Sequence, residues 1–493
     1  ANTNYNALTA NRAVIVTGSI NAPGDLGTLQ TGAKPFSNPG ASILVSAPGS
    51  NIGSTSRELV ADNGSTFGGD YTAAQGTSFA APIVSGIIAL MLEANPNLGF
   101  RDIQSILAMS ATKVDDPNGT DWTYNTAKSW NGGGMHTSHD YGFGKVDARA
   151  AVRLAETWIE TNTAWNEQVK TASSGTLNAA IPDGSSVLSR TLNMAAGLDV
   201  ESAQVTLQLN HQRWGDLIVK LIAPSGTESI LVNRPGKAPG SVATDLGDLS
   251  TGSMSFSFNT THVRGEASGG NWTLQVTDAV TGSVGILNNW KLDLYGATTD
   301  SDDTYIYTNE FATTTGRTLL ADSNGGIDTI NVSAVSGNST INLNDGSTST
   351  IAGKTLTITG GVEKAFGGDG NDTLTGNALT NVLLGGRGND TLNGGGGTDR
   401  LQGGRGNDTL TGGIDRDWFV IQKDAGSTDT ITDFTPTQVG EKIALVGFEN
   451  ITDFSQIVVT QEGLNTRLTL GSAQSVLLLN LAPSQISEQN FVF

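Results

Sequence analysis

Hydrophobic and polar positions change their period along the 493 residues, and the changes divide the chain. In the first part, GASILVSAPGS (residues 40–50) reads as a short apolar strand closed by Pro48 and Gly49. Residues 79–94 are apolar on nearly every side, which predicts a helix surrounded by protein. Amphipathic helices are predicted near residues 100–111 and 147–159, so the part up to about residue 157 is α/β. From about Asn166 to Tyr295 the period falls to two. Val205, Leu207 and Leu209 alternate with polar residues, as do Trp272, Leu274 and Val276, and Trp290, Leu292 and Leu294. Half-buried strands between Gly, Pro, Asn and Ser turns predict an antiparallel β-sandwich. ATTDSDDT (residues 297–304) is a polar linker.

The remaining residues are β-rich and repeat. Six nine-residue units follow one another without a slip, starting at Gly367, Gly376, Gly385, Gly394, Gly403 and Gly412. Glycines in each unit permit the positive φ of a tight turn. The sixth position carries an oxygen ligand (Asp372, Asn381, Asp390, Asp399, Asp408, Asp417), and the eighth is apolar (Leu374, Leu383, Leu392, Leu401, Leu410, Phe419). One unit is then a turn and a short strand, and two make one coil of a parallel β-roll. Residues 18 apart stack, so Asp372, Asp390 and Asp408 line one edge, with Asn381, Asp399 and Asp417 on the other. Stacked carboxylates repel unless a cation lies between them, and hard oxygen donors favour Ca2+. Asp369 adds a carboxylate in the first unit, and the neutral Asn381 marks a weaker site.

Composition sharpens this picture. Gly numbers 63, charged residues are only 15% and aromatics 6%, a profile of turns and short strands. Lys+Arg total 27 against 47 Asp+Glu, a formal net charge of -20, which argues against nucleic acid and anionic membrane and suits divalent cations. There is no Cys, so disulfides and thiolate metal sites are excluded and metal is the available staple. The longest apolar run, residues 79–92, is too short for a membrane span. The opening ANTNYNALTA has neither Met nor a charged-then-apolar leader, as expected of a processed chain or a fragment.

QGTSFAAP (residues 75–82) introduces the apolar helix. A serine at such a helix head, Ser78, has its own amide and the positive end of the helix dipole facing a developing oxyanion. Gly76, Ala80 and Ala81 leave room for a substrate backbone, and Pro82 is tolerated in a first helical turn.

Over residues 1–296 the chain resembles the kexin/furin branch of the subtilisin-like serine proteases. GTSFAAP resembles that family's nucleophile motif, which implies the catalytic role for Ser78; ANPNLGFRDIQSIL and SHDYGFGKVDARAAV resemble the following helices in order. RWGDLIVKLIAPSGT and GNWTLQVTD resemble strands of that branch's P domain, a jelly-roll sandwich. The nonapeptides resemble the repeats-in-toxin (RTX) proteins. GGIDTINVSA (residues 325–334) and DTITDF (residues 429–434) resemble the segments bracketing the roll in serralysin-type metalloproteases, and the final NFVF resembles the end of a type I secretion signal.

The resemblances imply a multidomain chain: the carboxy-terminal part of a catalytic domain (1–160), a P domain (165–297), a β-rich flank (298–366), the Ca2+-binding repeats (367–420) and a β cap with secretion signal (421–493). They also imply a secreted, extracellular serine endopeptidase with protein or peptide substrates and the type I secretion apparatus as partner. All four histidines (His136, His139, His211, His262) follow Ser78, whereas the family order is Asp, His, oxyanion Asn, Ser. No DSG- or DDG-type Asp precedes Ser78, and the histidines read as surface or turn residues, so this polypeptide alone is expected to be inactive. Ala1-Asn2-Thr3-Asn4 before Tyr5 lacks the acidic residue with which furin-like enzymes read basic substrates, leaving broad endopeptidase specificity equally open. The rival readings are a non-catalytic extracellular Ca2+-binding RTX surface or adhesion protein, and a sandwich that binds polysaccharide or protein.

Overall fold

The computed structural model describes residues 2–21, 36–55, 71–114, 122–237, 245–471 and 473–493. They form two compact units: 1–128 with 134–299, and 129–133 with 300–493.

In the first unit two parallel strands, β1 (Val16–Ile20) and β2 (Ile43–Pro48), lie beside helix α1 (Thr77–Ala94). Helices α2 (Phe100–Ser110) and α3 (Ala148–Glu156) complete this part, and α1 packs on β1, β2 and α3. Helix α1 begins two residues earlier than its apolar run, and this changes two expectations. Pro82 becomes the sixth helical residue, beyond the first turn, so its missing N–H leaves the Ser78 carbonyl without a helical partner. The helix is also not enclosed. Ala80, Val84, Ile87 and Met91 form one buried stripe, while Leu90 is 50% exposed. Apolarity on every side signals a capacity for burial; the neighbours present decide which faces are covered. With 18 residues, α1 reaches the length and apolarity of a membrane span, a test that a soluble protein's core helix also passes.

Residues 168–298 form two antiparallel sheets over one core. The first orders Gly252–Thr260, Leu198–His211, Gly285–Thr298 and Gln168–Ser173; the second orders Glu228–Asn233, Leu217–Ile222, Gly270–Asp278 and Leu188–Met194. Register places Leu207 between Phe256 and Trp290, and Val219 opposite Val276. Strand Leu217–Ile222 alternates buried and half-buried residues, the signature of its period-two sequence.

These sheets meet the helical part along a polar seam. Buried Arg101 of α2 sends Nε and Nη2 to the two carboxylate oxygens of Glu201 (2.7 and 2.5 Å). Arg264 reaches Ser105 and Gln104, and the Thr261 amide donates to the Ala41 carbonyl.

The second unit is built on two long sheets. One has eight parallel strands: Thr304–Thr308, Asp328–Ala334, Val362–Phe366, Val382–Arg387, Arg400–Arg405, Trp418–Gln422, Lys442–Val446 and Phe491–Val492. The other has eleven strands, including Thr340–Asn342, Thr373–Thr375, Thr391–Gly396, Thr409–Ile414 and Thr428–Ile431. Successive nonapeptides fall alternately into the two sheets. Leu374, Leu392, Leu410 and Ile431 stack on one inner wall, with Leu383, Leu401, Phe419 and Ile443 on the other, all fully buried. Flank, repeats and cap therefore share the same sheets, although the sequence period divides them. Residues 129–133 also belong here: Trp130 is buried, and the Asn131 amide donates to the Ile306 carbonyl.

Arg101→Ala strands a carboxylate at the seam and is expected to destabilise the first unit by about 3 kcal/mol. Denaturant unfolding followed by the fluorescence of buried Trp272 and Trp290 measures this.

Candidate functional site

Ser78 is the second residue of α1 and is exposed. The chain reaches it through Gly76, whose φ of 146° suits glycine and whose amide donates to the Gly49 carbonyl (2.7 Å). Gly49 directly follows β2, and a Cβ there would meet the Gly76 carbonyl at 2.8 Å. The close approach seats the helix start at the carboxyl end of β1 and β2. Among the described residues no side chain caps this end; the Phe79 amide donates to the Gly76 carbonyl (2.9 Å), which leaves the Thr77 and Ser78 amides to an anion.

The histidines are committed elsewhere and are not the surface residues expected. His136, His211 and His262 are buried. His136 Nε2 meets the Phe143 carbonyl (2.7 Å), and His139 Nε2 accepts the Ile230 amide (2.8 Å). His211 lies between the Arg213 carbonyl and Asp278 Oδ2 (2.7 and 3.2 Å). His262 packs against His139. Among the described residues no hydrogen bond joins any of them to Ser78. Among the described residues, the exposed hydroxyl has no base bonded to it.

The acidic residues of the repeats form two columns. In one, the Asp372 amide donates to Asp390 Oδ1 (2.7 Å) and the Asp390 amide to Asp408 Oδ1 (2.8 Å). In the other, the Asn381 amide donates to Asp399 Oδ1 (2.8 Å) and the Asp399 amide to Asp417 Oδ1 (2.9 Å). One oxygen of each acceptor is thus used by the preceding coil. The second oxygens of Asp390, Asp399 and Asp408 are buried without a partner. A cation would satisfy them, and an all-oxygen donor set suits a hard one. Burial, opposed in part by those backbone hydrogen bonds, raises Asp390 to about 8, Asp399 to about 7 and Asp408 to about 6. Glycine is needed in these turns: a Cβ on Gly404 (φ 110°) would meet the Gly386 carbonyl at 2.1 Å.

Not every expected ligand shares that state. Asp372 already accepts amides from Ser339 and Gly368. Asn381 accepts from the Asn377 amide and donates to the Glu363 carbonyl, so its amide group makes both kinds of bond that a cation would otherwise replace. Asp369 stands beside Arg387 (3.8 Å).

The columns extend past the repeats. At or next to the starts of paired strands, Asp303, Asp328, Glu363, Asn381, Asp399, Asp417 and Glu441 follow one another along one edge, with the Asp303 amide donating to Asp328 Oδ1 (2.7 Å) and the Asp328 amide to Glu363 Oε2 (2.8 Å). Asp429 follows Asp408 on the other, accepting its amide (3.1 Å). Carboxylate oxygens of Asp303, Asp322 and Asp328 lie within 4.8 Å of one another, and Asp328 is buried with Oδ2 unpartnered. These three could hold a cation at the amino-terminal end of the edge. Sequence reasoning missed them because the spacing departs from 18, to 25 between Asp303 and Asp328 and to 24 between Asp417 and Glu441. The recoverable signal was the pair of segments already noted at residues 325–334 and 429–434, each containing one such Asp.

Carboxyls raised on folding stabilise the cation-free fold below their ordinary range, and that stability is lost as pH rises through the folded values. In chelator, the melting temperature of the second unit is expected to fall as pH rises from about 4 to about 8. Saturating Ca2+ is expected to reverse the trend at the upper end. Calorimetry with and without chelator checks both.

Three family models match successive stretches of the chain. Residues 1–144 match the subtilase family, residues 200–294 the proprotein convertase P-domain, and four overlapping stretches within 357–420 the RTX calcium-binding nonapeptide repeat. The chain is 36% identical over 236 residues to an extracellular serine protease of Aeromonas sobria, covering 43% of this chain and 37% of that protein. Human proprotein convertase subtilisin/kexin type 5 is 36% identical over 252 residues, 48% of this chain and 12% of the convertase. The crystal structure of the Aeromonas sobria serine protease with its chaperone aligns at TM-score 0.49 and 25% identity, covering 61% of this chain and 60% of that one. The chain thus spans well under half the length of these curated relatives. Residues 1–144 are similar to the subtilase family, residues 200–294 to the proprotein convertase P-domain and the repeats to the RTX calcium-binding nonapeptides, in a chain with homology to the Aeromonas and kexin-type serine proteases.

Proposed function

We propose that this chain serves a secreted, calcium-dependent serine endopeptidase in which Ser78 forms the acyl-enzyme. The observation that carries the reading is the setting of Ser78: exposed, at an uncapped helix start beside the carboxyl ends of two parallel strands, within a subtilase-family segment. Its Oγ would attack a peptide carbonyl while first-turn amides steady the oxyanion. The Oγ proton needs a base, and the four histidines here are engaged elsewhere. The reading therefore takes the activating histidine, its aspartate and the oxyanion asparagine from outside these residues. The open face of α1 supports such an addition.

Calcium, when bound, would supply positive charge along each acidic column of the second unit. Asp372, Asn381, Asp390, Asp399, Asp408 and Asp417 would line those sites, with Asp369 at their margin. Export through a type I apparatus fits the carboxyl end: Phe491 is buried in the folded sheet, so a signal there is readable only before folding. A second reading, a non-catalytic extracellular calcium-binding protein, is favoured by the same engagement of the histidines.

Loss of the histidine alone costs a subtilisin about 10⁶-fold in turnover. The isolated chain is accordingly expected neither to cleave casein nor to take up an organophosphate at Ser78. A longer chain carrying the family's Asp, His and Asn is expected to do both in calcium, and to lose both on Ser78→Ala. Labelling of the isolated chain would overturn the assignment of the base, and an inactive longer chain would favour the non-catalytic reading.

A further inference from the structure

Two imidazoles, His262 fully buried and His139 half-buried, pack against each other where the sandwich meets the protease-like segment. His139 sits in a turn of that segment, closed by paired backbone hydrogen bonds between Ser138 and Gly142. His262 lies on the sandwich between strands Gly252–Thr260 and Glu266–Ala267. Their ring centroids are 4.4 Å apart, edge to face. Both backbones are tied down locally: the His139 carbonyl accepts the Gly40 amide (2.7 Å), and the His262 carbonyl accepts Asn125 Nδ2 (3.0 Å).

Neither ring has a place for a second proton. His139 Nε2 is the acceptor for the Ile230 amide of the sandwich, so a proton there would set N–H against N–H. His262 is fully buried, and neither of its ring nitrogens has a partner. The charges that bear on the rings are unfavourable as well. Lys220 acts on His139, with its own ammonium paired to Glu228 (2.9 Å), and His139 acts on His262. Asp140 follows His139 in the turn, and Arg264, two residues beyond His262, points to Ser105 and Gln104.

We propose that His139 and His262 form an acid-released latch, neutral and closed at neutral pH, that frees the sandwich from the protease-like segment when the rings are protonated. Burial is the first cause in both rings, holding His139 down at about 4 and His262 well below the ordinary histidine range. A base depressed on docking favours the docked form above its ordinary pKa and weakens it progressively below. Glu167, which is bonded to Arg12 across the same seam, has its carboxyl raised by burial and so pulls the other way.

The test is hydrogen exchange on the full chain in calcium, corrected for intrinsic rates. Protection of the Ile230 and Thr261 amides is expected to fall on the order of 20-fold per imidazole between about pH 7 and about pH 5. Amides inside the sandwich core should keep theirs. A His139→Gln/His262→Phe double variant cannot gain the two charges and is expected to hold its seam protection across that range. Unchanged protection in the parent chain, or an equal loss in the double variant, overturns the latch. Should the variant fail to fold, NMR titration of the four histidine rings in the parent chain decides. Titration of His139 or His262 in the ordinary range, with the seam amides still protected, overturns it equally.

Discussion

Carboxylates placed one above another at strand spacing, and withdrawn from water, are the constraint around which residues 300–493 are organised. Two unit charges about 4.8 Å apart repel by about 3 kcal/mol at an effective dielectric constant near 20. The fold repeats this arrangement along two columns. Each acceptor gives one oxygen to the amide of the preceding coil, which fixes register. For Asp390, Asp399 and Asp408 the other oxygen is left buried and unmatched. Leucines stacked on the inner walls supply the apolar burial, but they cannot neutralise the columns. A cation would, and its binding would then be coupled to folding. The columns run beyond the nonapeptides through Asp328, Glu363, Asp429 and Glu441, so the same condition reaches flank and cap.

The first unit solves a different problem. Its helical part offers one buried stripe of α1 and few strands, and it leans on the sandwich for completion. The seam is polar and heavily hydrogen-bonded: Arg101 with Glu201, Arg264 with Ser105 and Gln104, the Thr261 amide with Ala41. Such a seam gains specificity from geometry more than stability from area, because buried charges return little net free energy once desolvation is counted. A polar seam is also where protonation can tell. The neutral histidine pair and the raised Glu167 respond to acid in opposite directions.

Ser78 and the histidines show how little residue type says about chemistry without position. A serine at an uncapped helix start, with Gly49 and Gly76 drawn together behind it, is left exposed to solvent. Four imidazoles in the same chain are held by backbone carbonyls, a backbone amide, an aspartate or one another. Their contribution as the chain stands is to packing and to the seam.

Much of this was written in the sequence. Period two between Val205 and Leu294 and period nine from Gly367 are local patterns, since side-chain alternation and turn chemistry are set by neighbours in the chain. The stacking of Asp390 on Asp372 and Asp408 followed from that regular period alone. Positions whose spacing is irregular were not legible: Asp303, Asp322 and Asp328 come together only through strand pairing, as does Glu441 with Asp417. Nor could the sequence tell that α1 would be covered on one stripe, or that three of the four histidines would be buried. Burial is a property of what lies across from a residue, and that is decided by tertiary contacts between segments far apart in the chain.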